Sequence, residues 1–196
     1  TREFVISQMA PEATLVDIGA GTGAWAVFLS RHVHKITAVE PSPAMIAVLQ
    51  NKLAQAEIKN VEILQDRWPQ AQVDVHDFTF CSHAMYGVPN LVTFVQKMTA
   101  SARRMCFFLI RAPSPDSLMA EAARTIWGQP NDLPNFIIAY NVLLQMGIYA
   151  NVLIEEGDHW QPPTSLTMAA ALDEVKHKLG VLVLQRKIAL LRKIGV

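Results

Sequence analysis

Over the first two thirds of the chain, short β-branched and aromatic runs alternate with apolar residues at helical spacing, the signature of a parallel α/β sheet. Thr14–Ile18 predicts a first strand and Ala24–His32 the helix behind it. Lys35–Glu40 predicts a second strand. Pro43–Ala56 follows as a helix, with Ser42 as N-cap and Pro43 at the first helical position. Its Met45, Ile46, Leu49 and Leu53 recur at helical spacing and are expected to face the sheet. Val61–Gln65 and Phe78–Ser82 predict the third and fourth strands, and Pro89–Thr99 a helix carrying Leu91, Val92, Val95 and Met98. Met105–Ile110 is nearly all apolar and reads as a fifth strand covered on both faces.

Beyond Arg111 the pattern loosens. Helices are predicted from Pro113 to about Trp127, over Phe136–Met146, Thr164–Leu179 and Val181–Ile194, with a late strand over Ile148–Ile154. The run Phe136–Ile154 is long and apolar, but Asn141, Gln145, Gly147 and Asn151 interrupt it. A bilayer span needs about 20 mostly apolar residues, so a buried helix stopping at Gly147 and then a strand is the better reading. One domain over residues 1–196 is expected, with helical additions at 113–147 and 160–196.

Composition changes this picture little. Lys plus Arg and Asp plus Glu each total 17, giving zero net charge and no reason to expect a phosphate backbone or anionic membrane as main partner. Nucleic acid is thereby demoted, although a neutral chain still has room for a local basic patch. Cys81 and Cys106 both sit in apolar runs and imply no disulfide framework. The start, Thr1–Ala10, lacks a signal peptide's apolar core, so a cytoplasmic protein without a membrane anchor is expected.

The chemistry begins at Gly19, Gly21 and Gly23, between the first strand and its helix. Glycine there permits positive φ and close ligand approach, in the crevice where open α/β sheets bind ligands. The run also fits the dinucleotide fingerprint, with Ala24 in the last place and Glu40 about 20 residues on. Two features favour another cofactor. Asp17 points by strand alternation to the same face as Gly19, awkward beside a pyrophosphate but suited to an ammonium group. Glu40 continues as Pro-Ser-Pro-Ala-Met45, without an arginine for a 2′-phosphate.

Leu15-Val-Asp-Ile-Gly-Ala-Gly-Thr-Gly23 resembles the first motif of the class I, Rossmann-like S-adenosylmethionine-dependent methyltransferases, and Ala38-Val-Glu-Pro-Ser42 their second. The resemblance runs from about Thr14 to Ile110. It implies a doubly wound, mainly parallel sheet of order 3-2-1-4-5, with late strands and a helical addition after the fifth. By the same resemblance Asp17 and the backbone of Gly19, Ala20, Gly21 and Gly23 hold the amino-acid end of S-adenosylmethionine. Glu40 takes the ribose hydroxyls, with Pro41, Ser42 and Met45 beside sugar and adenine. Val61–Pro69 resembles the third-strand segment, so Asp66 is expected at the adenine amino group, beside Arg67, with Trp68 packed on the base. Asp74 and Asp77 are read as solvated loop acids. Two departures stand out: one good late strand where the family has two, and no leading helix to cover the cofactor. Terminal or internal segments of the family's fold are therefore expected to lie outside this sequence.

Ser82, His83 and Tyr86 run off the fourth strand, where the family's methyl-transfer centre lies. His83 is a candidate general base and Tyr86 its companion. Methyl transfer does not require a base, since a sulfonium already makes its methyl electrophilic and alignment supplies much of the rate. Arg111 is placed to meet an acidic substrate or to form a salt bridge. Cys81-Ser-His83 has no second paired cluster to make a metal site, and Glu155, Glu156, Asp158 and His159 read as a solvated turn. Amino-directed DNA methyltransferases carry Asn/Asp-Pro-Pro-Tyr/Phe where this chain has Ser82-His-Ala-Met. Trp127, Leu133, Phe136, Tyr140, Met146 and Trp160 are candidates to roof an apolar acceptor pocket. The expected partner is a small or medium organic acceptor, with S-adenosyl-L-homocysteine as product and a homodimer open. A nicotinamide-dependent oxidoreductase and a non-catalytic partner protein of methyltransferase fold remain as alternatives.

Overall fold

The computed structural model describes residues 1–112, 121, 123–125, 128 and 135–155. The chain divides into two compact units, Thr1–Arg111 with Asn135–Ala150, and Ala112–Pro134 with Asn151–Val196. The first unit holds the sheet.

Its elements run α1 (Arg2–Ser7), β1 (Thr14–Ile18), α2 (Ala26–Leu29), β2 (Lys35–Val39), α3 (Pro43–Gln55), β3 (Val61–Leu64), β4 (His76–Ser82), α4 (Leu91–Ala100), β5 (Ala102–Leu109) and α5 (Phe136–Gln145). All pairings are parallel, in the order β3-β2-β1-β4-β5. The sheet order implied by the resemblance is the one observed.

Strand alternation sorts the apolar residues into two cores, one per face. Leu15, Ile36, Ala38, Phe78, Phe80 and Phe107 pack with Leu29, Leu49 and Leu53 of α2 and α3 on one side. Val16, Ile18, Val39 and Cys81 pack with Trp68, Phe94 and Met98 on the other. Each buried aromatic or aliphatic side chain contributes about 1.5–3 kcal/mol by leaving water. Covered on both faces, β1, β2 and β4 are apolar at most of their central positions, with Asp17, Thr37 and Thr79 as buried polar exceptions.

Local signals place the helices. The Ser42 hydroxyl accepts from the Met45 N–H at 3.4 Å, and Asn90 and Asn135 cap α4 and α5 through the N–H groups of Thr93 and Ile137. Gly147 (φ 75°) ends α5, its N–H donating to Leu144 and that of Ile148 to Leu143.

Several expectations change. The helix after the glycine loop is four residues, not nine as Ala24–His32 would be. The Ser30 hydroxyl turns back to the Val27 carbonyl, and Asn60 Nδ2 takes the carbonyls of Ser30 and Val33, so the helix is capped early. A six-residue helix, α1, does precede β1, with Val5 in the core. Met45 is 44 % exposed, so only Ile46, Leu49 and Leu53 of the α3 set face the sheet. β5 is last in the order and is not covered throughout: Phe107 is buried, but Arg103, Arg104 and Met105 are exposed.

Helix α5 is not wholly buried either. It buries the i, i+4 pair Ala139 and Leu143 and exposes Ile137, Ile138 and Leu144. Residues 148–155 form no strand, so the late strand Ile148–Ile154 is withdrawn. Tyr149 is 83 % exposed there, and among the described residues no neighbouring strand supplies a ladder. Among the described residues no helix is long and apolar enough to cross a membrane. The readings over 164–179, 181–194, Trp127, Leu133, Glu156, Asp158, His159 and Trp160 lie outside the described residues.

Candidate active site

The strand register brings the motif residues to one edge. Ile18 is level with Val39 and Cys81, Val39 with Leu64, and Ser82 with Leu109. Gly19, Glu40, Asp66, His83 and Arg111 therefore all follow the carboxyl ends of neighbouring strands. A shallow groove lined by His34, Lys35, Lys59, Asn60, Val61 and Glu62 lies at the opposite edge.

The glycine loop is knitted to β2. The N–H groups of Gly19 and Ala20 both donate to the Val39 carbonyl, at 2.8 and 3.1 Å, and that of Gly23 donates to Ala20. The Gly21 N–H donates to Glu40 Oε2 at 2.9 Å, while the Ser42 N–H donates to Glu40 Oε1 at 2.9 Å. Glu40 is 7 % exposed and ties the two loops together. The backbone N–H groups of residues 19, 20, 21 and 23 are thus all engaged within the protein. Lys52 of α3 adds a brace, its Nζ donating to the Thr22 carbonyl and hydroxyl.

Two glycines are required for different reasons. Gly19 has φ 70°, and a Cβ there would overlap Ala84 Cβ. Gly21 has φ 55° with open space where a Cβ would stand. The loop is thus closed against the β4 segment at Gly19 and open to a ligand at Gly21.

Asp17 is the unusual charge. It is 2 % exposed; the Ala26 N–H donates to its carboxylate, but Oδ2 has no hydrogen-bond partner. Burial, opposed by the Ala26 hydrogen bond and reinforced by nearby Glu40, pushes its pKa up to about 7. An orphaned buried carboxylate oxygen beside a second carboxylate is a site that wants a cation. That fits the ammonium end of S-adenosylmethionine.

At the third strand, Asp66 is half-buried and accepts the Arg67 N–H at 2.7 Å; Arg67 is exposed. Trp68 is placed otherwise than expected. Its indole N–H donates to the Phe94 carbonyl at 3.1 Å and its ring lies in the second core, edge-on to Phe94. It anchors the segment against α4, so packing on a base is withdrawn. Pro41 and Met45 are exposed and Ser42 half-buried beside Glu40.

At the fourth strand, Ser82 is half-buried and His83 exposed, with Tyr86 half-buried next to it. His83 Nδ1 lies 2.7 Å from the Tyr86 hydroxyl, and the Arg111 N–H donates to that same hydroxyl at 2.7 Å. Desolvation, and then the Arg111 charge, hold the His83 pKa below the ordinary histidine range. Desolvation raises that of Tyr86. Burial pushes the Cys81 thiol up to about 12, which removes it as a nucleophile. Asp77 is no solvated loop acid: it accepts the Thr14 N–H and hydroxyl at 2.9 and 3.1 Å and faces Arg103, joining β4 to β1. Asp74 is exposed, as expected.

Sequence reasoning missed Ala84 and Lys52. Ala84 carries no chemistry to notice, and the Lys52–Thr22 brace spans two elements whose separation only the fold sets.

A family model described as "Methyltransferase domain" matches residues 15–106. A curated relative from Methanosarcina acetivorans, "Probable ribosomal RNA small subunit methyltransferase A", is 31 % identical over 94 residues, 47 % of this chain and 34 % of that one. The chain thus spans about a third of the length of the curated relatives it matches. Among solved structures, the YcgJ protein from Bacillus subtilis superposes with a TM-score of 0.53 at 20 % identity, covering 63 % of this chain and 57 % of that one. A SAM dependent methyltransferase from Aquifex aeolicus does so with 0.51 at 19 % identity, covering 59 % and 67 %. The engaged glycine loop, the acids beside it and the shared sheet order agree with that match: residues 15–106 are similar to a methyltransferase domain and have its Rossmann-like fold.

Proposed function

We propose that this protein transfers a methyl group from S-adenosyl-L-methionine to a small or medium organic acceptor, releasing S-adenosyl-L-homocysteine. The observation that carries the reading is the replacement of free N–H donors by acid at the loop. A pyrophosphate needs unengaged backbone N–H groups. Here the N–H groups of Gly19, Ala20, Gly21 and Gly23 are taken, while Asp17 Oδ2 has no partner. This disfavours a dinucleotide and suits a cationic cofactor.

In this reading Asp17 holds the ammonium group and the open face of Gly21 lets the cofactor approach backbone. Glu40 keeps lone pairs for ribose hydroxyls while its N–H bonds fix the carboxylate in place. Asp66 and Met45 stand at the adenine side, and Ser82 and His83 at the methyl side. When bound, S-adenosylmethionine supplies a methyl on a positively charged sulfur that needs no further activation. The protein's part is then alignment and exclusion of water.

An RNA acceptor is the second reading, favoured by the name of the Methanosarcina acetivorans relative. Against it, Arg103 and Arg104 begin β5, at the far end of that strand from the crevice, and the whole chain is neutral. Titration calorimetry with S-adenosylhomocysteine tests the core of the proposal. Binding is expected in the wild type, at least about tenfold weaker binding in Glu40→Ala, and none with NAD⁺. Equal or absent binding in both proteins overturns it. Labelled methyl transfer into small-molecule and RNA fractions then decides the acceptor class.

A further inference from the structure

We propose that Tyr86 is a positioning residue that fixes His83 as a neutral hydrogen-bond donor at the end of β4, so that His83 holds the methyl acceptor through Nε2–H instead of taking its proton. This rests on the methyl-transfer reading and narrows the role of its β4 segment.

The backbone of His83 is the first support. Its φ of 58° lies in the left-handed region, uncommon outside glycine, and such a conformation persists where its surroundings fix it. The His83 N–H donates to the Leu109 carbonyl at 3.1 Å, tying the turn to the end of β5. The imidazole also stacks on the Tyr86 ring, centroids 5.8 Å apart and planes 28° from parallel.

The hydrogen-bond inventory supplies the second. A phenol hydroxyl has one proton and two lone pairs. One lone pair of Tyr86 already accepts the Arg111 N–H, and His83 Nδ1 is 2.7 Å from the oxygen. With the O–H donating to Nδ1, both groups are satisfied and the neutral ring carries its proton on Nε2. Placing the proton on Nδ1 instead would aim two N–H donors at one oxygen and send the phenol proton elsewhere.

The charges around the ring agree. Desolvation, and then Arg111 on the β5 side, disfavour a second proton, and the Cys81 thiol stays protonated at neutral pH. The ring is then neutral, its lone pair taken and its remaining nitrogen a donor. Such a group recognises an acceptor that carries an oxygen or nitrogen lone pair beside the atom to be methylated. Any proton the acceptor loses leaves to water.

Long-range ¹H–¹⁵N correlation of the cofactor-free protein at pH 7.5 reads the tautomer directly, with His83 assigned among the six histidines by His83→Gln. The expected result is Nε2–H with an unprotonated Nδ1 in the wild type. In Tyr86→Phe, mixed tautomers are expected. An Nδ1–H tautomer in the wild type, or an unchanged tautomer in Tyr86→Phe, overturns the proposal. In labelled methyl transfer, His83→Gln, which keeps an N–H donor, should retain about tenfold more activity than His83→Ala, and equal losses in the two variants overturn the donor role. The tautomer is read without cofactor or acceptor, so its failure is distinct from a failure of S-adenosylhomocysteine binding.

Discussion

Replacing Asp17 by asparagine keeps the acceptor for the Ala26 N–H and removes the buried charge. The wild-type carboxyl moves from an ordinary 3.8 to about 7 on folding. Between those values the folded state binds a proton that the unfolded chain has lost, so stability falls as pH rises, and the fall stops above about 7. A difference of about 3 units at 1.36 kcal/mol each makes the whole effect about 4 kcal/mol. The asparagine NH₂ would occupy the place of the partnerless Oδ2, and an unsatisfied donor costs about 1–3 kcal/mol. Asp17→Asn is therefore expected to be less stable than wild type near pH 4.5 and more stable, by about 1–3 kcal/mol, at pH 8. Urea unfolding of the cofactor-free protein at pH 4.5, 6, 7 and 8 measures this crossing. A stability difference that does not change with pH would falsify the account of Asp17 as a buried charge without a counter-ion. S-adenosylhomocysteine should reverse the preference, because its ammonium favours the ionised carboxylate. Its affinity for wild type should rise through pH 7 and be lower in the variant at pH 8.

Four further outcomes follow from the same geometry. Gly19→Ala meets Ala84 at positive φ and should lose about 2–4 kcal/mol in urea unfolding. Gly21→Ala, with open space around it, should lose only about 1 kcal/mol yet weaken S-adenosylhomocysteine at least about tenfold by calorimetry; equal stability losses would contradict the contrast. Trp68→Phe removes the indole bond to Phe94 and should cost about 1 kcal/mol of stability with cofactor affinity kept within about twofold; a large affinity loss would return Trp68 to the base. Asp77 has its pKa lowered, first by the Thr14 N–H, so its contribution is present above the ordinary carboxyl range and lost as pH falls through the folded value. Asp77→Asn should flatten the acid limb of the stability profile, and an unchanged limb would count against the β1–β4 tie.

The covered strands were readable because a strand buried on both faces is mostly apolar, as Leu15, Val16 and Ile18 are, with Asp17 the buried exception. The Ser42 cap was readable because it acts within three residues of itself, whereas the helix expected from Pro89 starts at Leu91, capped by Asn90. Ile148–Ile154 misled for the opposite reason. Its β-branched run satisfies a propensity, but a strand exists only where a neighbour offers a ladder, and that is not a local property. Trp68 likewise reads as an aromatic near an acid, while its partner Phe94 lies 26 residues away.

The glycine loop, Asp17 and Glu40 are set by the sequence itself, since their spacing along one strand–helix–strand unit leaves little choice of partner. What those residues do to one another was decided by tertiary structure. Parallel register sets Glu40 against the Gly21 N–H, burial strips Asp17 of water and of a partner for Oδ2, and the end of β5 brings Arg111 to Tyr86 and so to His83. Charge, proton position and hydrogen-bond supply depend on distances across strands and on depth from solvent, and a linear chain records neither.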